Sequence, residues 1–440
     1  MIPNSIPAGH AATLYSIRTD RFKTSLFSVL SALPINRENA VRIPLLLSVL
    51  RRGTVRYPTL SDINRRLDWL WGAGFSVRAS YRGNLLIVGF SANLPDGSYL
   101  PGGGQDLTGE ISGLMQEILL NPVRDENGLL SASYTESEKR LQCDAIRAQK
   151  NNPRAYAGDR CRALLYASEP CGIPLWGSEE ETGAVTPAEL TACYERFLTD
   201  FHPIAFSVGS AAPETVAQEI SRRFEGVLTS PATLPTACHR LGKRTEPVRI
   251  TENLPIAQSQ LVLGLHSGIL LGDPAFYACA VYNELLGVSP VSRLFVYVRE
   301  KKSLCYSCSS AYNGMLGSLL ISCGLKKENR AAAEEEILRQ LDLLQSGDFT
   351  DSELDAAKNS LVNAYRQLED SAGGMESYWL GRMLTGAAAS IPIDESIRRI
   401  RAVTREELLA VARAVTVDVT YFLEGTLTGE EDSFDETDGI

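Results

Sequence analysis

The spacing of apolar residues predicts the same series of elements twice along this chain. In each half a strand-like alternation comes first, an apolar helix follows, and a second strand then leads into an amphipathic helix. The paired segments are 26–33 with 260–266, 84–92 with 318–324, and 107–120 with 330–344. A chain that repeats its elements in this order is expected to contain two similar folding units.

A helix-start signal near the end of each half supports the duplication. Val-Thr-Pro-Ala-Glu-Leu at 185–190 and Val-Thr-Arg-Glu-Glu-Leu at 403–408 both place a Thr three residues before a Glu. That spacing is typical of a capping box, in which the hydroxyl and the carboxylate satisfy backbone N–H groups at the helix start. A strand pattern follows each helix. The repeat distance of roughly 220 to 230 residues indicates two homologous halves rather than an array of short repeats.

The order of strands and helices within each half predicts an α+β fold. We expect two homologous lobes, each a mixed β-sheet covered by helices. The first lobe is assigned to residues 1–225 and the second to 248–425, joined by a linker at 226–247 that is rich in Thr, Pro and Ala. Residues 426–440 contain six acidic side chains and few apolar ones, so we expect a disordered acidic tail there.

Composition narrows the class of function. The 440 residues are 44% hydrophobic and carry a formal net charge of −10. That charge does not favour a nucleic-acid partner, because phosphates are held by clustered Lys and Arg. No apolar run approaches the roughly 18 residues that a membrane helix needs. The first ten residues lack the charged and apolar regions of a signal peptide, so we expect a cytoplasmic protein.

The nine cysteines fit a reducing compartment, since their number is odd and they are scattered along the chain. Cys305 and Cys308 have C-x-x-C spacing. However, the sequence holds no second pair for zinc, and the motif lies in a strand pattern rather than at a helix start. We therefore expect small core residues there rather than redox or metal chemistry.

The segment 292–310 carries the strongest functional signal. It places Arg299 seven positions before Tyr306, at a predicted junction between a helix and a strand. Taken alone, the Arg-Glu-Lys-Lys run could be a cationic helix end that complements the helix dipole, and the Tyr could pack into a sheet. Arg293, near the start of the same helix, is interpreted as a structural residue.

This segment and three shorter motifs resemble the pitrilysin-type, or insulinase-like, zinc peptidases and the mitochondrial processing peptidases. The motifs are Gly-Thr-Val-Arg-Tyr-Pro at 53–58, Lys-Asn-Asn-Pro at 150–153 and Pro-Leu-Trp-Gly at 174–177. Their order and spacing resemble the family across nearly the whole chain. The resemblance implies a clamshell of two lobes that forms half of a chamber.

The chain departs from the family at the zinc motif. Catalytic members carry H-x-x-E-H on a helix of the first half, and the corresponding positions here are Pro-Leu-Leu-Leu-Ser at about 44–48. The family's third ligand, a Glu, would fall near Asp144 or Ala145. The four histidines, at 10, 202, 239 and 266, contain no pair with helical ligand spacing. We therefore expect no metal site and no bound cofactor in this chain.

The resemblance implies a non-catalytic, substrate-positioning subunit of a heterodimeric zinc peptidase. The expected partner is a homologous catalytic subunit with an intact H-x-x-E-H motif, which brings the zinc. Arg299 would hold a carbonyl of the peptide substrate, and Tyr306 would donate to the oxyanion at the partner's zinc. We expect no activity from the chain alone.

Other functions remain open from the sequence. The chain could be an inactive homologue that serves as an assembly scaffold, or a peptide-binding, chaperone-like module that needs no catalytic partner. A self-sufficient peptidase would need metal ligands that the sequence does not offer. The sequence does not reveal the substrate, the cleavage preference, or whether the chain forms homodimers or heterodimers.

Overall fold

A computed structural model describes residues 2–8, 12–101, 107–224, 236–385 and 391–427. The chain divides into two compact units, each assembled from several stretches of sequence. Unit 1 comprises Met1–Arg147, Ile173–Cys238 and Tyr365–Asp394, and unit 2 comprises Ala148–Gly172, His239–Ala364 and Glu395–Ile440. Both halves of the sequence therefore contribute to both units.

The strands of the described residues fall into two sheets. In chain order they are β1 (Asn4–Ala8), β2 (Ala12–Arg18), β3 (Thr24–Pro34), β4 (Gly74–Arg82), β5 (Leu85–Pro95), β6 (Ile204–Gly209), β7 (Val248–Leu254), β8 (Ser259–His266), β9 (Ser307–Asn313), β10 (Ser318–Leu325) and β11 (Thr416–Gly425). The strand patterns predicted at 26–33, 84–92, 260–266 and 318–324 lie within β3, β5, β8 and β10.

The α-helices of the described residues cover and connect these strands. They are α1 (Arg37–Arg52), α2 (Leu60–Trp69), α3 (Leu107–Leu120), α4 (Ala132–Ala148), α5 (Pro153–Leu165), α6 (Glu179–Ala184), α7 (Pro187–Asp200), α8 (Pro213–Phe224), α9 (Phe276–Asn283), α10 (Arg330–Ser346), α11 (Asp351–Gln367), α12 (Ala372–Met383), α13 (Ile393–Ala402) and α14 (Arg405–Ala414). Capping boxes at Thr186 and Thr404 begin α7 and α14, as predicted.

The two sheets share one topology, which confirms the duplicated α+β fold. Unit 1 has the strand order β1-β2-β6-β3-β5-β4, and unit 2 has β7-β11-β8-β10-β9. Without β1, the two orders correspond strand for strand. The parallel pairs also correspond, since β2 pairs with β6 as β7 pairs with β11, and the other pairs are antiparallel. Each sheet is therefore mixed, and each is built from one repeat of the element series.

One face of the unit 2 sheet is covered by α5, a helix from the first half of the sequence. Cys161 and Leu165 of α5 pack in a buried cluster with Val262 and Tyr421 of the sheet. Gly264 lets the helix approach closely, because an ideal Cβ there would lie 3.3 Å from both Cys161 Sγ and Leu165 Cδ2. Side chains alternate along a strand, so neighbouring β8 residues point to the opposite face, where they are also buried.

The unit 1 sheet receives a helix from the other half in the same way. Helix α12 packs against β3 and β6, and its Trp379 is fully buried. Glu376 of this helix accepts hydrogen bonds from Ser28 on β3 and Arg78 on β4. A buried carboxylate is tolerated only when it is paired, so this contact ties the helix to two strands of the sheet.

Some predicted features fall on residues outside the described ranges. These are most of the tail at 426–440, the linker residues 226–235 and His10. Across the described part of the chain, no helix combines the length and the apolarity that crossing a membrane requires.

The packing of α5 on β8 predicts that Gly264 does not tolerate a larger side chain. Gly264→Val should lower the free energy of unfolding by about 1–3 kcal/mol, because the added methyl groups would overpack the interface with Cys161 and Leu165. Gly242→Val is the matched control, since nothing lies within 4 Å of an added Cβ there, and it should change stability by less than about 0.5 kcal/mol. Urea denaturation measures both. Equal losses in the two variants would contradict the close approach.

Candidate functional site

The segment that carries Arg299 is a π-helical stretch, Leu294–Lys301, in unit 2. Leu294 and Val298 are fully buried and anchor one side of it. The stretch ends in a tight turn in which the N–H of Ser303 donates to the carbonyl of Arg299 at 3.0 Å, and Ser303 itself has a φ of 49°. The chain then enters β9. The predicted junction between a helix and a strand is therefore present, with a π-helical rather than an α-helical arrangement.

The guanidinium of Arg299 lies at the surface of this segment. Its central carbon is 4.7 Å from the centre of the Phe295 ring, and its Nε is 3.7 Å from a carboxylate oxygen of Glu300. The side chain is 43% exposed. A cation–π contact of this exposed kind contributes about 0.5–1 kcal/mol, which orients the group without consuming its hydrogen-bond donors.

The backbone of Tyr306 is fixed while its ring is accessible. Its N–H donates to the carbonyl of Gly324 on β10 at 2.8 Å, and the residue is 56% exposed. Gly324 leaves room for the Gln258 side chain, since an ideal Cβ there would lie 2.9 Å from its amide nitrogen. The phenol is therefore presented from a rigid edge of the sheet.

Tyr306 forms part of the wall of a cavity of about 840 Å³, called here the Tyr306 cavity. Its polar wall includes Gln258, Ser259, Lys326, Lys327 and Glu328, and its apolar wall includes Leu325 and Leu427. The phenol, the amide and the two ammonium groups offer hydrogen-bond donors, which suit peptide carbonyl and carboxylate oxygens. Arg299 is not part of this wall, so the structure brings only one of the two predicted residues to the cavity.

Arg293 has the structural role that the sequence suggested. Its side chain is only 4% exposed. The guanidinium donates to the side-chain oxygen of Gln340 at 2.9 Å, to the carbonyl of Asp348 at 2.7 Å and to Glu353 at 3.2 Å. These contacts hold the start of the π-helical stretch against α10 and α11.

The positions that correspond to the zinc motif lie in the middle of α1, in unit 1. Pro44 is buried, and the Ser48 hydroxyl donates to its carbonyl at 3.0 Å. Ser48 lines a cavity of about 400 Å³ together with Arg51, Arg52 and Glu138, called here the Ser48 cavity. The Glu138 carboxylate pairs with the Arg52 guanidinium. The charged groups of the Ser48 cavity are therefore two guanidinium cations and one carboxylate, which is already paired with one of them.

The other candidate ligands do not converge on the Ser48 cavity. Asp144 is 66% exposed and pairs with Arg147, one turn along α4. His239 lies 2.7 Å from a carboxylate oxygen of Glu169, and the His266 ring nitrogen Nε2 is 3.0 Å from a backbone carbonyl. Within the described ranges, no group of three or more His, Cys, Asp or Glu side chains is arranged to hold a metal ion.

Comparisons with known proteins find similarity to one family of peptidases. A family model described as Peptidase M16 inactive domain matches residues 184–361. The chain is similar to the probable inactive metalloprotease YmfF of Bacillus subtilis, with 24% identity over 96% of this chain and 98% of the relative. It is also similar to the uncharacterized zinc protease YmxG of the same strain, with 24% identity over 68% of this chain and 71% of that protein.

A solved structure of a conserved protein from Enterococcus faecalis has the same fold. It superposes with a TM-score of 0.87 at 25% identity, covering 97% of this chain and 99% of that one. The agreement therefore extends over both units rather than over one motif. The chain is therefore similar to M16, or insulinase-like, peptidases over nearly its whole length, and residues 184–361 match the family model itself.

Proposed function

We propose that this chain is the non-catalytic, substrate-positioning subunit of a two-chain zinc peptidase. A homologous partner with an intact H-x-x-E-H motif would carry the zinc, and the peptide would bind between the two chains. The observation that carries the proposal is Tyr306, a residue that is 56% exposed and lies in a cavity wall while its backbone N–H is bonded to β10. An accessible donor on a rigid element is what a group acting on another chain's substrate requires.

Each residue of the pair has a distinct chemical role in this proposal. The Tyr306 hydroxyl donates a hydrogen bond to the oxyanion that develops when the zinc-bound water attacks the scissile carbonyl. Arg299 offers a planar set of donors that can hold a neighbouring carbonyl of the peptide in a fixed geometry. Its position in a π-helical stretch adds support, because such stretches occur frequently at functional sites.

The residues around position 48 support the assignment of zinc to the partner. Zinc needs imidazole, thiolate or carboxylate ligands, and neither Pro44 nor Ser48 offers one of these. The guanidinium groups of Arg51 and Arg52 line the same cavity. Fixed positive charges would repel a divalent cation, and Glu138 is already paired with Arg52.

The similarity to two Bacillus subtilis proteins supports a partner of the same family. One of the two is named as an inactive metalloprotease and the other as a zinc protease, and both come from one strain. We propose the cytoplasm as the location of the complex, since all nine cysteines are free thiols.

A second candidate is an inactive homologue that acts as an assembly scaffold or a peptide-binding protein. The packing of Arg299 against Phe295 favours it, because that contact gives the arginine a role within its own segment. The absence of Arg299 from the wall of the Tyr306 cavity points in the same direction. Under this second candidate function, the Tyr306 cavity would bind peptides without cleaving them.

The isolated chain should bind no stoichiometric zinc and should cleave no peptide, because arginines line the Ser48 cavity where metal-ligating side chains would be needed. The measurement is metal analysis of the purified chain together with a fluorogenic peptide assay, with and without a chelator. About one tightly held zinc per chain, accompanied by chelator-sensitive cleavage, would overturn the proposal.

Tyr306→Phe should reduce peptide turnover in a complex reconstituted with the zinc-bearing homologue of the same organism. A loss of roughly 10- to 1000-fold in kcat is expected, because one oxyanion donor is removed, while assembly of the complex should not change. Tyr99→Phe is the matched control, since Tyr99 is 57% exposed and lies in the other unit. It should leave turnover unchanged.

Arg299→Ala should raise KM and lower kcat in the same complex, as expected for a group that positions the substrate. Arg299→Lys should restore activity only in part, because an ammonium does not reproduce the planar fork. If Tyr306→Phe and Arg299→Ala both retain full activity in an active complex, the scaffold candidate replaces the proposal. Peptide binding to the chain alone, with no activity in any complex, would favour the peptide-binding candidate.

A further inference from the structure

The Ser48 cavity contains an arginine that no carboxylate of the described residues neutralises. Helix α1 carries four arginines, and three of them form ion pairs: Arg37 with Glu181, Arg42 with Glu38 and Glu189, and Arg52 with Glu138. Arg51 is half-buried, and its buried Nε makes no hydrogen bond within the described ranges. Because a buried donor without a partner is costly, the Arg51 guanidinium is suited to receive an anionic ligand.

The Arg51 guanidinium is held in place by aromatic rings of the unit 1 sheet. Its central carbon lies 6.0 Å from the centre of the Phe75 ring on β4. That ring stacks on Phe90 of β5, with 5.7 Å between the ring centres, and Phe90 is buried. A contact with the face of a ring leaves the N–H donors in the plane of the guanidinium free for another partner.

The rest of the Ser48 cavity combines apolar walls with hydroxyl groups. Its apolar lining consists of Leu60, Phe75, Val77 and Leu141. Ser48 and Ser76 also line it, and both hydroxyls already donate to backbone carbonyls, so they offer a ligand their lone pairs. The volume of about 400 Å³ lies within the range of roughly 300–1,000 Å³ that is typical of small-molecule sites.

We propose that the Ser48 cavity binds the C-terminal residue of a peptide. The α-carboxylate accepts two parallel hydrogen bonds from the Arg51 guanidinium, and an apolar side chain on the same residue packs against the apolar lining. The last amide N–H of the peptide donates to a serine hydroxyl. The inference does not depend on the proposed role of Arg299 and Tyr306, because all residues that line the Ser48 cavity belong to unit 1.

The lining of the cavity favours this ligand class over other anions. Phosphate has no apolar group, and the side chains of Asp and Glu carry a carboxylate with no apolar group beside it. A free amino acid would bring its ammonium close to the Arg51 guanidinium, and the two like charges would repel each other. In a peptide that nitrogen is an uncharged amide, which can donate to Ser48 or Ser76. Peptide hydrolysis supplies ligands of this class, since each cleavage leaves a new α-carboxylate.

The first experiment compares ligands on the unaltered, full-length chain. Fluorescence anisotropy measures the affinity for short, N-terminally labelled peptides that end in Ala-Phe. The free acid should bind at least about tenfold more tightly than the C-terminal amide, because amidation removes the charge-assisted pair with the guanidinium. A peptide that ends in Ala-Gly should bind at least about tenfold more weakly than the Ala-Phe acid, because it leaves the apolar lining uncovered. Equal affinities for acid and amide would overturn the proposal.

The second experiment locates the carboxylate. Arg51→Gln should weaken binding of the acid at least about tenfold while changing binding of the amide by less than about twofold. Arg51→Lys should restore only part of the preference for the acid, because an ammonium lacks the planar fork. Arg37→Gln is the matched control, since Arg37 lies on the same helix but outside the cavity wall, and it should bind like the unaltered chain.

An equal loss for acid and amide in Arg51→Gln would contradict the proposal, because it would show that Arg51 only supports the fold. Far-UV circular dichroism checks the fold of each variant, and the comparison of acid with amide on the unaltered chain needs no variant. A failure of the acid to bind at concentrations up to about 1 mM would also contradict the proposal.

Two further controls separate the Ser48 cavity from other sites for anions. Lys326 lines the Tyr306 cavity, and if Lys326→Gln rather than Arg51→Gln removes the preference for the acid, the peptide end binds in unit 2 and the proposal is wrong. Inorganic phosphate is the competitor for the second control. It should displace the Ala-Phe acid only at a large excess, and displacement at equal concentration would identify a general anion site instead.

Discussion

The requirement that both faces of each sheet be covered shapes the rest of this structure. Strands such as β6 and β8 are buried along almost their whole length, so neither face of either sheet can be left in water. Each unit meets this requirement with a helix from the other half of the sequence, α5 on the unit 2 sheet and α12 on the unit 1 sheet. Neither sequence half contains all the elements of a complete unit. Both halves of the sequence are therefore needed for either unit to fold completely.

The same organisation explains what the sequence could and could not predict. Capping boxes, strand alternation and amphipathic helices are local signals, and they located α3, α7, α10 and α14 as well as the central strands. The exchange of α5 and α12 depends on packing between residues that are far apart in the chain, which no local pattern encodes. The close approach of α5 is visible at Gly264, but in the sequence a glycine inside a strand pattern is ambiguous.

Contacts between residues that are far apart in the chain also limited what the sequence could predict about the candidate site. The sequence identified Arg299 and Tyr306 through a family resemblance, and it interpreted Arg293 as structural, as the buried contacts of Arg293 confirm. It did not predict the pairing of Cys308 with Cys323, because the two are distant in sequence and become neighbours only through the register of β9 and β10. The spacing of Cys305 and Cys308 was visible in the sequence, but the cross-strand neighbour Cys323 was not.

We propose that Tyr306 contacts a peptide bound at another chain's zinc. Site-specific photo-crosslinking tests it directly, with p-benzoylphenylalanine incorporated at position 306 and a non-cleavable peptide added together with the zinc-bearing homologue. Irradiation should attach the peptide to position 306 only when the homologue is present. The account would be contradicted if an active complex gave no peptide adduct at position 306, or if the same probe at the exposed position 99 gave an equal yield.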